Sequence, residues 1–148
     1  MKYLIIATML VLATVASAEL QIGLGTQLVQ EIGVEPYFPL LGQVKLNIPV
    51  TAGISLEARG IGETFAAGNP DRTYRYSGLA GIGVQMDDVL IMSFGGGVHY
   101  FGEEYIPRAY YSLAFVLNYL QRVEILTTLD LNGDPQPIGC GFIFSVGI

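Results

Sequence analysis

Tryptophan is absent from this chain of 148 residues, and cysteine and histidine occur once each. A single Cys140 excludes an intrachain disulfide framework. A single His99, with no cysteine partners, does not supply the ligands of a metal site, and no cofactor is expected. Charge is scarce as well: 14% of residues are charged, against about 25% in soluble domains. No basic tract exists and the formal net charge is −6, which excludes nucleic acid as a partner. Hydrophobic residues reach 51%, yet beyond the first 18 positions no apolar run approaches the roughly 18–20 residues of a spanning helix.

The exception is at the start. Lys2 is a charged n-region, Leu4 to Val15 an apolar h-region, and Ala16-Ser17-Ala18 an A-x-A cleavage site. Residues 1–18 therefore read as a signal peptide cut between Ala18 and Glu19, leaving 19–148 as one exported domain. Loss of Lys2 makes that domain one unit more negative. No cysteine sits near the cut, which argues against a lipoprotein.

What the chain has in abundance is alternation. From Tyr74 to Tyr100 one face carries Tyr76, Ala80, Ile82, Val84, Met86, then Leu90, Met92, Phe94, Val98; the other carries Ser77, Gly81, Gly83, Gln85, then Ser93, Gly95, Gly97, His99. Period two over this length means strands, and Asp87-Asp88-Val89 between the runs makes a hairpin. The pattern recurs at 20–28, 44–48, 52–58, 111–119, 123–131 and 140–148. No apolar face carries a charge. The opposite faces are Gly, Ser, Ala and Gln with scattered charges, a poor soluble surface. Turned inside out the arrangement is coherent: small and polar residues fill a narrow lumen and apolar residues face lipid.

Keeping like faces together across a hairpin requires odd turns. Pairing Met86 with Leu90, Ile48 with Ala52 and Tyr119 with Val123 leaves three turn residues each. The longer connections read as Gly62 to Arg72, Gly102 to Arg108 and Asn132 to Pro137. Residues 29–41, with Pro36 and Pro39, form a loop, an extension of the next strand, or a strand of their own. Eight strands close without a sheet edge and put both termini on one side; nine do not. The expected fold is an all-β, eight-stranded antiparallel up-and-down transmembrane β-barrel.

On this pattern the chain resembles the small outer-membrane barrels of the OmpA transmembrane-domain and OmpX type. The closing strand carries the resemblance best, because Phe142, Phe144, Val146 and Ile148 alternate to the last residue. The family usually ends in Phe or Trp, and Ile148 departs from that. The resemblance implies a bacterial outer-membrane location, membrane lipids and the barrel-assembly machinery as partners, and a surface partner the sequence does not identify. Tyr74, Tyr76, Tyr100, Tyr111 and Tyr119 read either as interfacial girdles or as ordinary strand formers.

The inward-facing charges are Lys45, Glu57, Arg59, Arg75, Glu124 and Asp130, joined by His99 and Asn118. In a narrow lumen opposite signs should pair. Parity sets Gln43 across from Glu57, Ser112 across from Asp130, Asn118 across from Glu124 and Ser77 across from His99. The expected role is non-enzymatic, structural or surface-interacting. The alternatives are a narrow channel, a lipid-directed Ser–His–acid hydrolase on Ser77 and His99, and a secreted soluble β-protein with a binding cavity. Cys140 reads as a small hydrophobe. The Gly81–Gly97 glycines lie inside strands, with no following helix to cradle phosphate. N-terminal sequencing of the exported chain is expected to begin at Glu19; a chain retaining Met1 would overturn the cleavage reading.

Overall fold

Residues 18–30, 33, 35–65, 75–101, 104–132 and 136–148 are described by the computed structural model; residues 1–17, on which the signal-peptide expectation falls, and Tyr74 lie outside them. The strands are β1 (Glu19–Gln30), β2 (Pro39–Thr51), β3 (Ile54–Phe65), β4 (Arg75–Gln85), β5 (Leu90–Phe101), β6 (Glu104–Val116), β7 (Gln121–Asp130) and β8 (Ile138–Gly147). Each pairs antiparallel with the next, and β1 pairs with β8 from Gln21↔Gly147 to Gln30↔Ile138, so the sheet closes into a barrel. Closure removes the unpaired strand edges that an open sheet would present.

The alternating sequence becomes an inside-out partition. Leu24 is 72% exposed and Phe142 60%, whereas Lys45 is 0% and Glu124 1%. Apolar side chains thus cover the outside and charges fill the inside, the reverse of a soluble barrel. Glu19, the first residue of β1, and Ile148 lie at the end that carries the three short turns. Tyr76 pairs with Tyr100 and Tyr100 with Tyr105 at the other end of the barrel. The Tyr100 and Tyr105 ring centroids are 5.2 Å apart. Tyr119 is in a short turn at the opposite end, while Tyr111 lies mid-strand beside Phe94.

The β4–β5 hairpin has the expected register: Ile82 faces Phe94, Val84 faces Met92 and Ser77 faces His99. Two others differ from expectation. Ile48 pairs with Leu56, not Ala52, and Asn47, not Gln43, lies opposite Glu57. A register shift between Pro49 and Thr51 and a left-handed Gly53 (φ 81°) close that turn. Phe115 pairs with Val123, and Ser112 pairs with Leu126 rather than Asp130. Here Asn118 is corrected: it is exposed in the turn, outside the lumen. Its Oδ1 accepts from the Leu120 and Gln121 backbone N–H groups at 2.9 Å each. A short amide side chain that can cap its own turn pulls the reversal onto itself.

The strands also reach further than the breaker residues suggest. β3 continues through Gly62 to Phe65, and β6 begins at Glu104 and runs through Pro107. The Pro107 carbonyl accepts from Leu131 N at 2.7 Å. Its missing N–H therefore falls on the side where β7 has already ended, the one place a strand tolerates proline cheaply. Pro39 to Leu41 belong to β2, so the segment after β1 extends the second strand rather than forming a ninth.

Close approach at the β1–β8 seam depends on glycine. A Cβ at Gly141 would fall onto the Thr26 carbonyl oxygen and the Gln27 side chain, and one at Gly25 onto the Phe142 carbonyl oxygen. At the outward Gly60 nothing lies within 4 Å. Gly141→Val is expected to abolish the SDS-resistant folded band on unheated gels, while Gly60→Ala leaves it intact.

Candidate functional site

Inward positions on adjacent strands meet across the lumen in two charged tiers. The tier nearer the termini is built on Arg59. Its Nη2 donates to Glu57 Oε2 at 2.7 Å and to Ser112 Oγ at 2.9 Å, and its Nη1 bonds Glu124 Oε1. The guanidinium carbon stands 4.5 Å from the centre of the Tyr110 ring. Lys45 Nζ lies 3.7 Å from Glu57 and 3.6 Å from Glu124. Gln43 donates to Glu124 at 3.3 Å and Ser93 to Glu57 at 2.8 Å. Two cations and two carboxylates, none more than 4% exposed, thus sum to zero charge. Buried charges in this state are compensated rather than isolated.

The far tier is built on Arg108. Its Nε donates to Asp130 Oδ1 at 2.6 Å, and its Nη1 to Glu63 Oε1 at 2.5 Å and Ser77 Oγ at 2.9 Å. His99 Nδ1 is 3.0 Å from Asp130 Oδ2. An apolar cluster of Leu41, Ile61, Leu79, Tyr110, Leu126 and Ile143 shares the interior. In three strands its members separate the tiers: Ile61 stands between Arg59 and Glu63, Leu126 between Glu124 and Asp130, and Tyr110 between Ser112 and Arg108. Cross-lumen bonds and side-chain bulk together occlude the barrel axis, as expected for eight strands.

Of the residues singled out by sequence, Lys45, Glu57, Arg59 and Glu124 come together in one tier, and His99 and Asp130 in the other. Arg75 is half-buried at the rim beyond the far tier, donating to the Tyr37 hydroxyl at 2.6 Å. Asn118 joins neither. Arg108 and Glu63 are the important residues that sequence reasoning missed. Proline and glycine placed both in loops, yet Arg108 is in phase with Tyr110 and Ser112, and Glu63 with Glu57 and Arg59. That alternation was the available signal.

A closed barrel with an apolar exterior and an occluded, charge-paired lumen belongs to the inside-out β-barrel class. No family model and no curated protein sequence matches the chain. Solved structures do. The chain is similar to Ail, the attachment invasion locus protein of Yersinia pestis, with TM-score 0.68 and 11% identity over 88% of this chain and 96% of that one. It is similar to Neisserial surface protein A, with TM-score 0.55 and 5% identity over 87% and 96%. A barrel described as a de novo design of transmembrane β-barrels aligns with TM-score 0.54 and 9% identity over 86% and 95%. At these identities the likeness is one of fold.

Removing one partner of a buried ion pair strands the other, at about 3–5 kcal/mol. Arg59→Met is expected to lose stability of that order in urea unfolding of the detergent-folded barrel. Lys45→Met should lose clearly less, because among the described residues Lys45 Nζ has no hydrogen-bond partner to give up.

Proposed function

We propose that the protein is a bacterial outer-membrane barrel with a closed lumen, exported by its signal peptide and seated in lipid by its apolar belt. Its role is non-enzymatic, structural or surface-interacting, and its partners are membrane lipids and the barrel-assembly machinery that inserts such chains. The carrying observation is the occluded interior: a lumen tied across by Arg59 and Arg108 leaves the outer surface and the connections between strands as the places where function is exerted. With Glu19 and Ile148 at the short-turn end, that end faces the periplasm and the longer connections face outward.

The hydrolase reading finds little support in the far tier. Ser77 accepts a hydrogen bond from Arg108, and Ser77 and His99 are 4% and 1% exposed. Both side chains are turned into the lumen, away from the lipid-facing surface, and geometry precedes residue identity in catalysis. The narrow-channel reading requires both tiers to part.

Two measurements on the full-length product test the proposal. The protein should fractionate with the outer membrane and migrate differently in SDS with and without boiling, because all backbone groups of a closed barrel are paired internally. In planar bilayers it should give no steady conductance. A steady open state would make it a channel, and detergent-free solubility with no heat-dependent shift would remove it from the membrane altogether.

A further inference from the structure

The polar interior is not equally satisfied along its length. At the end bearing Glu19 and Ile148 the barrel opens into a cavity of about 170 Å³, whose polar lining includes Glu19, Asn47, Thr51, Glu57, Gln85 and Arg122. Asn47 is only 7% exposed, yet among the described residues neither its Nδ2 nor its Oδ1 has a hydrogen-bond partner, and Arg122 Nε has none either. Glu19 and Arg122 form an ion pair at the mouth, with Nη2 to Oε2 at 2.6 Å. Glu19 is also the cross-strand neighbour of Asn47. Leaving both ends of a buried amide unmet is costly, because each group gives up its bonds to water and gains none in return. Gln27, at the other end of the barrel, is likewise unmet at both side-chain atoms, but it is Asn47 that lines this cavity.

We propose that this mouth is a binding site for a small zwitterion of the free α-amino-acid class. The lining offers both signs of charge close together, and the unmet atoms include donors (Asn47 Nδ2, Arg122 Nε) and an acceptor (Asn47 Oδ1). A ligand carboxylate satisfies the donors. A ligand ammonium satisfies the Asn47 oxygen and faces the carboxylate of Glu19, since both Glu57 oxygens are already engaged by the Arg59 tier. A purely anionic ligand meets two carboxylates, and a purely cationic one leaves the open guanidinium nitrogen unmet. The space equals that of about six waters, enough for glycine or alanine and too small for a peptide chain. The Arg59 tier closes the cavity inward, so the site is a dead end rather than part of a path. Binding here goes beyond the closed-barrel role, and its measurement does not depend on which compartment the mouth faces.

The test is a titration of the detergent-folded, ¹⁵N-labelled barrel with free glycine, with glycinamide (cation) and acetate (anion) as matched controls. Glycine is expected to give saturable shifts at the Asn47 side-chain amide and the Arg122 Nε–H, with each control at least about tenfold weaker. Asn47→Leu and Arg122→Lys should each weaken glycine about tenfold or more. Lysine keeps the charge facing Glu19 while removing the Nε donor, and the heat-dependent gel shift establishes that each variant is folded. Absent saturation, equal weak shifts from all three probes, or undiminished glycine binding by both folded variants would overturn the proposal and leave the mouth filled by water alone.

Discussion

The guanidinium of Arg59 is the point to which most of the lumen is tied. It extends from β3 and reaches Glu124 on β7, Ser112 and the Tyr110 ring on β6, and Gln43 on β2. Four of the eight strands therefore share one planar, permanently charged group. Arginine suits this position because its fixed fork satisfies several acceptors at once and does not lose its proton. Lys45 beside it contributes charge without comparable geometry: its ion contacts are 3.6 and 3.7 Å long and make no hydrogen bond. The two cations have different tasks, one organising carboxylates and the other neutralising them.

Such a crowded interior is possible because small residues stand next to the large ones. A Cβ at Gly81 would fall onto the Tyr110 hydroxyl, and one at Gly83 would lie 2.6 Å from Ser55 Oγ and 2.7 Å from Glu57 Oε1. The glycines that look like a loop motif in the sequence are thus the volume that Tyr110 and Glu57 occupy. Their cost as strand residues is offset by the packing they permit.

This explains which features could be read before any coordinates. The face of each residue was legible, because alternation has period two and the inner and outer chemistries hardly overlap. Register was not, because moving a hairpin by two residues per strand leaves every face unchanged. Only local turn chemistry distinguishes such registers, and at Asn118 the deciding interaction is a side-chain cap that periodicity does not encode. Lys45, Glu57, Arg59, Glu124, His99 and Asp130 could be placed on the inner face for the same reason. Arg108 and Glu63 were lost to a different conflict. Pro107 and Gly62 are breakers in isolation, but an outward proline beside the end of β7 gives up little, and an outward glycine in a closed sheet is held by its neighbours.

The buried charges have a further physical consequence. Ion pairs in low dielectric contribute little net stability, and apolar side chains of equal volume often do as well. In a chain whose other face is already apolar, that exchange would make both faces alike. A one-residue slip of any strand would then cost almost nothing, although slippage by one exchanges every inner residue for an outer one. With the present sequence, a slip of β3 carries Glu57, Arg59 and Glu63 to the outer surface together. A lipid-facing Arg alone costs about 2–4 kcal/mol near the bilayer midplane, and its stranded partners add to that. The tiers therefore act as register keys as much as cross-links. Their strength as keys comes from how poorly each charge would fare on the other side of the sheet.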